Sequence, residues 1–376
     1  MEHATKRTWA EISLGNLSHN YRALRGMLPP GCRFLGVVKA NAYGHGALPV
    51  ARKLEQLGAE YLAVSCLDEA IQLREGAVKA PILILGHTAP AYAGELIHHH
   101  LTQTVSDWET AAALSQAAEQ EGAPLKIHVK ADTGMSRLGF LCDEGHLKGS
   151  AAEMAGVCAL PGLEAEGIFT HFANADGDED YTMLQLTRFL DTIKNLEEKG
   201  VHFPLRHCAA SAAVLNYPCT HLDMVRPGIA LYGHYPDPAC QGLDGPGLLP
   251  VMTLKTRVAA VRELPAGSSV SYGCTYTAQT DQRVAVLSVG YADGFSRLLS
   301  GRARVVIGGV SCPVLGRVCM DMCMVGVDQV PQVKPGDEVT LYGEGCPVEE
   351  DAGLAGTISY ELLCAVSPRV PRIYLE

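Results

Sequence analysis

No stretch of this sequence approaches the ~20 uninterrupted apolar residues that a membrane-spanning helix needs. Nor does any cluster of Lys or Arg stand out against a formal net charge of -11. The first absence argues against a membrane partner. The second removes the broad basic face that a phosphodiester backbone requires, so nucleic acid is not an expected partner either. Residues 1–9 carry charges and lack the apolar centre of a secretory leader, which makes a cytoplasmic chain the expectation. Paired cysteine spacing is missing as well. The thirteen cysteines are odd in number and irregularly placed, a pattern of reduced thiols rather than of disulfides. Cys319 and Cys323 have no second ligand pair at zinc-site spacing. His98, His99 and His100 close an expected helix, where they suit the negative end of its dipole, and no metal is expected.

What the sequence does contain is apolar content of 47% against 19% charged residues over 376 positions. That length exceeds what one core usually supports, so two domains are expected, and one of them can be a barrel of roughly 250 residues. From residue 34 to about 228 short apolar runs alternate with amphipathic stretches, the mark of repeated βα units. Strands are expected at 34–39, 61–65, 81–86, 101–105, 125–131, 164–171, 205–210 and 222–226, with helices such as 67–76, 107–121 and 181–199, the last capped by Gly200. Eight such units point to a TIM-type (β/α)8 barrel. The Gly- and Pro-rich stretch 236–250 breaks the rhythm. Beyond it, Val- and Thr-rich alternation predicts strands at 253–262, 283–289, 303–307 and 338–341 of a mostly β domain. The expected division is therefore residues 1–12 as an N-terminal strand, 13–240 as the barrel and 241–376 as the β domain. The sequence leaves open which domain the strand at 8–12 joins, with the C-terminal one expected. Asn16 or Ser18 is expected to cap the helix that follows.

Catalytic groups of a barrel come from the C-terminal ends of its strands. Lys39 ends the first, inside an apolar run that disfavours its charged form, and a neutral amine can form an imine with a carbonyl. Lys130, Asp132 and Arg137 follow the fifth strand, His171 the sixth, His207 and Ser211 the seventh, Arg226 and Gly228 the eighth. Each alone has an ordinary reading, Lys39 as a strand end in water, Arg226 as an ion pair, Ser211 as a helix cap. Together they match an aldehyde cofactor that carries a phosphate: a lysine for the imine, donors for the phosphate and a partner for a ring nitrogen. Pyridoxal 5'-phosphate meets each requirement.

Five runs then carry a resemblance that spans about residues 8–372. They are Val-Val-Lys-Ala-Asn-Ala-Tyr-Gly-His-Gly (37–46), Lys-Ala-Asp-Thr-Gly-Met-Ser-Arg-Leu-Gly (130–139), Arg-Pro-Gly-Ile-Ala-Leu-Tyr-Gly (226–233), Val-Ser-Tyr-Gly-Cys-Thr-Tyr (270–276) and Gly-Arg-Val-Cys-Met-Asp (316–321). In these the chain resembles the alanine racemase family, pyridoxal phosphate-dependent isomerases with a barrel and a β domain. The resemblance implies L-alanine and D-alanine as substrates, D-alanine supply for peptidoglycan, and two bases on opposite faces of Cα, Lys39 and Tyr272. His171, Arg226 and His207 would support them, with Arg226 opposite the pyridine nitrogen, opposing its protonation. Arg137, Met320 and Asp321 would bind substrate. Tyr43, Ser211, Gly228, Ile229 and Tyr360 would hold the phosphate, and Lys130 would be carbamylated, against a plain ion pair with Asp132. Tyr272, Met320 and Asp321 would enter the site of a second subunit, which implies a homodimer with shared active sites. Ala210 stands where the family often has asparagine, and Ser136 where glycine is common.

Three alternatives remain. A serine/alanine racemase of the vancomycin-resistance type shares the motifs on a membrane-anchored chain. A barrel-type decarboxylase of basic amino acids shares the plan but not the Arg226 and Tyr272 motifs. A non-catalytic pyridoxal phosphate carrier would need only the barrel.

Overall fold

The structure, a computed structural model, describes residues 7–241 and 245–376. Residues 1–6 of the expected N-terminal segment and 242–244 of the expected break lie outside the described residues. The chain divides into two compact units, one of Leu17–Ala42 and Ala47–Leu249, the other of Met1–Asn16, Tyr43–Gly46 and Pro250–Glu376. The first strand, β1 (Thr8–Ser13), belongs to the second unit.

In the first unit the strands are β2 (Arg33–Val37), β3 (Tyr61–Val64), β4 (Ile82–Ile84), β5 (Thr102–Val105), β6 (Leu125–Asp132), a short β7 (Phe140–Leu141), β8 (Leu163–Phe169), β9 (Leu205–His207) and β10 (Met224–Val225). Eight of them pair side by side in the order β10, β2, β3, β4, β5, β6, β8, β9, and β7 adds to β6. A parallel bridge between Ala210 and Arg226, with the Arg226 amide on the Ala209 carbonyl at 2.9 Å, brings β9 and β10 together and closes the ring. These are the eight strands that the apolar runs predicted. Leu35, Leu62, Leu83 and Ile127 are fully buried on them, and each such side chain contributes roughly 1.5–3 kcal/mol over its exposed state.

Element ends differ from expectation where side-chain caps decide. Asp107 and Asp178 accept the amides of Thr110 and Tyr181, so the helices run Trp108–Glu121 and Glu179–Glu197. The second of these is regular to Glu197 and is closed by Gly200 as expected, at φ 81° with its amide on the Glu197 carbonyl at 2.9 Å and the Val201 amide on the Leu196 carbonyl at 3.0 Å. Helix Leu14–Gly26 opens earlier than Asn16 or Ser18 would allow, because the Ser13 hydroxyl accepts the Asn16 amide at 3.0 Å. The first barrel strand stops at Val37, short of Lys39.

The second unit continues with β11 (Met252–Leu264), a hairpin of β12 (Ser269–Val270) and β13 (Tyr276–Thr277), then β14 (Gln282–Leu287), β15 (Arg304–Ile307), β16 (Val310–Leu315), β17 (Cys323–Gly326), β18 (Glu338–Tyr342) and β19 (Arg372–Leu375). Its sheet order is β14, β17, β16, β15, β18, β11, β1, β19, with β14 also pairing β11. β1 runs antiparallel to β11 and parallel to β19. Strict alternation on β11 buries Met252, Leu254, Thr256 and Val258 on one face, as a half-buried strand requires. Among the described residues no helix is long and apolar enough to cross a membrane.

Candidate active site

Lys39 opens a left-handed turn. Ala40, Asn41, Ala42 and Tyr43 have φ of 52–54° without a glycine among them, a conformation that costs roughly 1–2 kcal/mol per residue. Local bonds offset it. The Ala42 amide donates to the Val38 carbonyl at 2.9 Å and the Ala40 amide to Glu69 Oε1 at 2.6 Å. The Asn41 side chain accepts the Ala47 amide at 2.8 Å. Glu69 also accepts the Ser65 amide at 2.8 Å, which fixes its carboxylate under the turn. Gly44 follows with φ 82°, and a Cβ there would stand 2.2 Å from the Leu363 carbonyl oxygen.

At the strand ends of the barrel unit cations gather, and the Asp132 carboxylate acts against them on Lys130. Lys130 and Arg226 are buried, and Lys39 and Arg137 act on the same groups. Burial, then the charges of Arg137 and Arg226, pull the Lys130 ammonium down to about 8. Burial pulls the Arg226 guanidinium to about 10, so it stays charged. His171 is held well below the ordinary imidazole range by burial and then by Arg226, Arg137, Lys130 and Lys39. Asp132 does not pair with Lys130. Its Oδ1 accepts the amides of Gly134, Met135 and Ser136 at 3.0, 2.9 and 3.1 Å, shaping the turn that leads to Arg137. That turn passes Ser136 at φ 56°, the left-handed region in which glycine would be relaxed.

Arg226 is seated by four acceptors: the carbonyls of Thr170 and Cys208 at 2.9 and 3.2 Å, His207 Nδ1 at 3.0 Å and His171 Nδ1 at 3.3 Å. Its guanidinium and the Lys130 ammonium both lie over the Phe169 ring, at 5.3 and 5.4 Å, and that ring stacks on His207. Beside it, the buried Ser211 hydroxyl accepts the amides of Gly228 and Ala230 at 2.9 and 3.3 Å. The amide between them, on buried Ile229, donates to nothing among the described residues.

The second unit carries the remaining candidates. Tyr43 and Tyr360 place their rings 6.1 Å apart, and burial raises the Tyr43 phenol well above its ordinary value. Tyr272 sits at the tip of the β12–β13 hairpin, 70% exposed. Below it Val270 and Tyr276 anchor the hairpin on Val284 and Leu315. Met320 and Met322 are exposed nearby in sequence to Asp321, whose carboxylate accepts from Arg369 at 2.8 Å. Buried Asp293 holds Arg7 and Arg369 at 2.6 and 2.7 Å, and the amides of Tyr291 and Ala292 grip the carbonyls of Cys319 and Met320 at 3.0 Å. Ser271, Glu69 and Asp293 carried no role in the sequence. Their distant partners lie 29 or more residues away, which no local pattern reveals.

Comparison with known proteins adds an independent line. Residues 12–236 match the family described as alanine racemase, N-terminal domain, and residues 251–374 match alanine racemase, C-terminal domain. The chain is 47% identical to the alanine racemase of Desulforamulus reducens over 371 residues, 98% of each protein. It is 42% identical to that of Methanococcus maripaludis, again covering 98% of both. Among solved structures, alanine racemase of Clostridium difficile superposes with a TM-score of 0.95 at 40% identity, over 99% of this chain and 96% of that one. The Bacillus anthracis enzyme with bound L-Ala-P gives 0.90 at 35% identity, over 99% and 95%.

Proposed function

We propose, from the premise that this chain belongs to the alanine racemase family and is an isomerase, that it interconverts L- and D-alanine with pyridoxal 5'-phosphate through Lys39 and Tyr272. The observation that carries this reading is the gathering of four cationic side chains, Lys39, Lys130, Arg137 and Arg226, around His171, which burial and these charges hold well below the ordinary imidazole range. Such a cluster suits a ligand that brings a phosphate, a phenolate and a substrate carboxylate. The unpartnered Ile229 amide and the Ser211 hydroxyl beside it fit the phosphate, and Tyr43 and Tyr360 complete the set of candidate donors.

When bound, the cofactor supplies a carbonyl for the amine of Lys39 or substrate and a conjugated ring that withdraws electrons from Cα. The chain supplies the rest. Lys39 Nζ moves a proton on one face of Cα and Tyr272 Oη on the other, which is what inverts the centre. Arg226, fixed by four acceptors and still cationic, opposes protonation of the ring nitrogen and so limits side reactions. Arg137, exposed and without an ion pair among the described residues, is suited to the substrate carboxylate. Lys130, buried and only partly protonated near neutral pH, is suited to carbamylation, which would turn a like charge beside Arg137 into an attractive one.

Exposed Tyr272 and Met320, with Asp321 beside them, serve the barrel site of a second copy, so the working form is a homodimer with shared active sites. The expected setting is cytoplasmic, with D-alanine passing to peptidoglycan. L-alanine in deuterated water tests the reading: deuterium at Cα and D-alanine must both accumulate. Turnover of L-serine at a comparable rate would favour the serine-accepting alternative, and cofactor binding without any exchange would favour the carrier. In Lys39→Ala the bound cofactor should lose its visible absorption band. A band that survives dialysis would assign another lysine.

A further inference from the structure

Behind Arg226 and its partner His207 the barrel holds further ionisable side chains to which racemisation assigns no task. His207 and His128 are both fully buried, with His207 Nε2 at 2.8 Å from His128 Nδ1. Glu166 comes next. Its Oε2 accepts the Tyr61 hydroxyl at 2.6 Å and lies 3.9 Å from His128 Nε2, while Oε1 faces Lys126 Nζ at 3.4 Å. The backbone is shaped around this line. The register between β6 and β8 shifts at His128, and a Cβ on Gly167 would stand 2.7 Å from the His128 ring. A bulge and a missing side chain at the same ring are the marks of a site that a strand has been bent to accommodate.

Hydrogen-bond chemistry orders the protons. Arginine has only donors, so its contact at 3.0 Å makes His207 Nδ1 an acceptor. Neutral His207 then carries its proton on Nε2 and must donate it to His128 Nδ1. Neutral His128 in turn carries its proton on Nε2, which has no hydrogen-bond partner among the described residues but lies 3.9 Å from the Glu166 carboxylate, close enough for its charge to favour the proton there. Burial, then Arg226, keeps His207 below the ordinary imidazole range, and burial does the same for His128 against the pull of Glu166. Burial would raise Glu166, but the His128 imidazole, the Tyr61 hydroxyl and the Lys126 ammonium hold it well below the usual carboxylate range. The reverse proton order would set an N–H of His207 against the guanidinium and the Nε2 lone pair of His128 toward the Glu166 carboxylate.

We propose that His128 and Glu166 are positioning residues which, from the far side of His207, fix its tautomer and so the seat of the Arg226 guanidinium. The catalytic consequence rests on the racemase reading, whereas the proton order does not. Two-bond proton–nitrogen NMR correlation on histidine-labelled protein, with and without pyridoxal phosphate, tests the order directly. Both rings should be neutral with the proton on Nε2 from roughly pH 6 to 8, although ordinary imidazoles titrate there. An Nδ1–H form or an imidazolium at either ring would overturn the proposal, whatever the variants do. His128→Phe removes the acceptor and His128→Asn returns one at the place of Nδ1. The Phe variant should show mixed His207 tautomers and a kcat about tenfold lower with KM changed less than twofold, the mark of lost preorganisation, and Asn should recover most of both. Equal losses in both variants with an unchanged His207 tautomer would reduce the role to packing and overturn it. Wild-type protein with the expected tautomers but no racemisation would sink the proposed function and leave the seat of Arg226 as described.

Discussion

The hydroxyl of Ser271 donates to the Arg317 carbonyl at 2.6 Å, tying the hairpin that carries Tyr272 to the segment that carries Met320 and Asp321. It does so from φ 66° and ψ -178°, a region nearly reserved for glycine. The bond therefore holds a strained residue in place, and the phenol proposed as a base follows it directly. Ser271→Ala keeps the strain and loses the tie, so kcat for L-alanine should fall about 3- to 10-fold, in line with a bond of ~0.5–1.5 kcal/mol. Hydrogen exchange at residues 272–274 should quicken in the same variant. Unchanged exchange together with unchanged kcat would remove Ser271 from the support of Tyr272.

The proposed sharing of sites between two copies predicts complementation. Lys39→Ala and Tyr272→Phe should each be nearly inactive alone. After mixing and exchange of subunits, half of the dimers would be mixed and each would hold one intact site, so about a quarter of wild-type activity should return. Steady-state rates of the mixture against the separate variants decide this, and no recovery would mean that both bases come from one chain.

Lys130 predicts a dependence on carbon dioxide. Carbamylation needs the neutral amine, and an ammonium brought down to about 8 leaves more of it with each step up from pH 7. Carbon-13 NMR with labelled bicarbonate should show a carbamate signal that grows through this range and is absent from Lys130→Ala. The unmodified residue also makes folding depend on pH. The unfolded chain binds its proton up to about 10.5 and the folded one only to about 8, so this contribution to stability rises with pH between those values.

Much of this arrangement was legible because its signals are local. Eight apolar runs specified the barrel, and polar residues directly after them specified the rim, so Lys130, His171, His207 and Arg226 were found from position alone. What escaped depends on partners distant in sequence or on backbone that side chains do not announce. His128, flanked by Ile127 and Val129, reads as a core filler until His207, 79 residues on, is seen at its Nδ1. Asn41 tolerates a left-handed turn, but Ala40 and Ala42 on either side of it give no sign of one, since alanine has no preference for it. It is imposed by Glu69 and Asn41.

Asp351 predicts a pH effect on stability away from the site. Burial, then Glu350, raises its carboxyl from 3.8 to about 7. Its Oδ2 and the buried Tyr342 hydroxyl, a group whose own ionisation Asp351 opposes, have no hydrogen-bond partner among the described residues. Cys346 feels the same carboxylate. Between pH 3.8 and 7 the folded chain holds a proton here that the unfolded chain has released, so this contribution to stability falls as pH rises through that window and is level above it. Asp351→Asn removes the charge and keeps the shape. Its Tm should exceed that of the wild type at pH 8 by several degrees, roughly 2–4 °C for each kcal/mol in a domain of this size, with a smaller gain at pH 4.5. Scanning calorimetry of both proteins at the two pH values checks this, and equal gains at both would show that the carboxyl is not the group responsible.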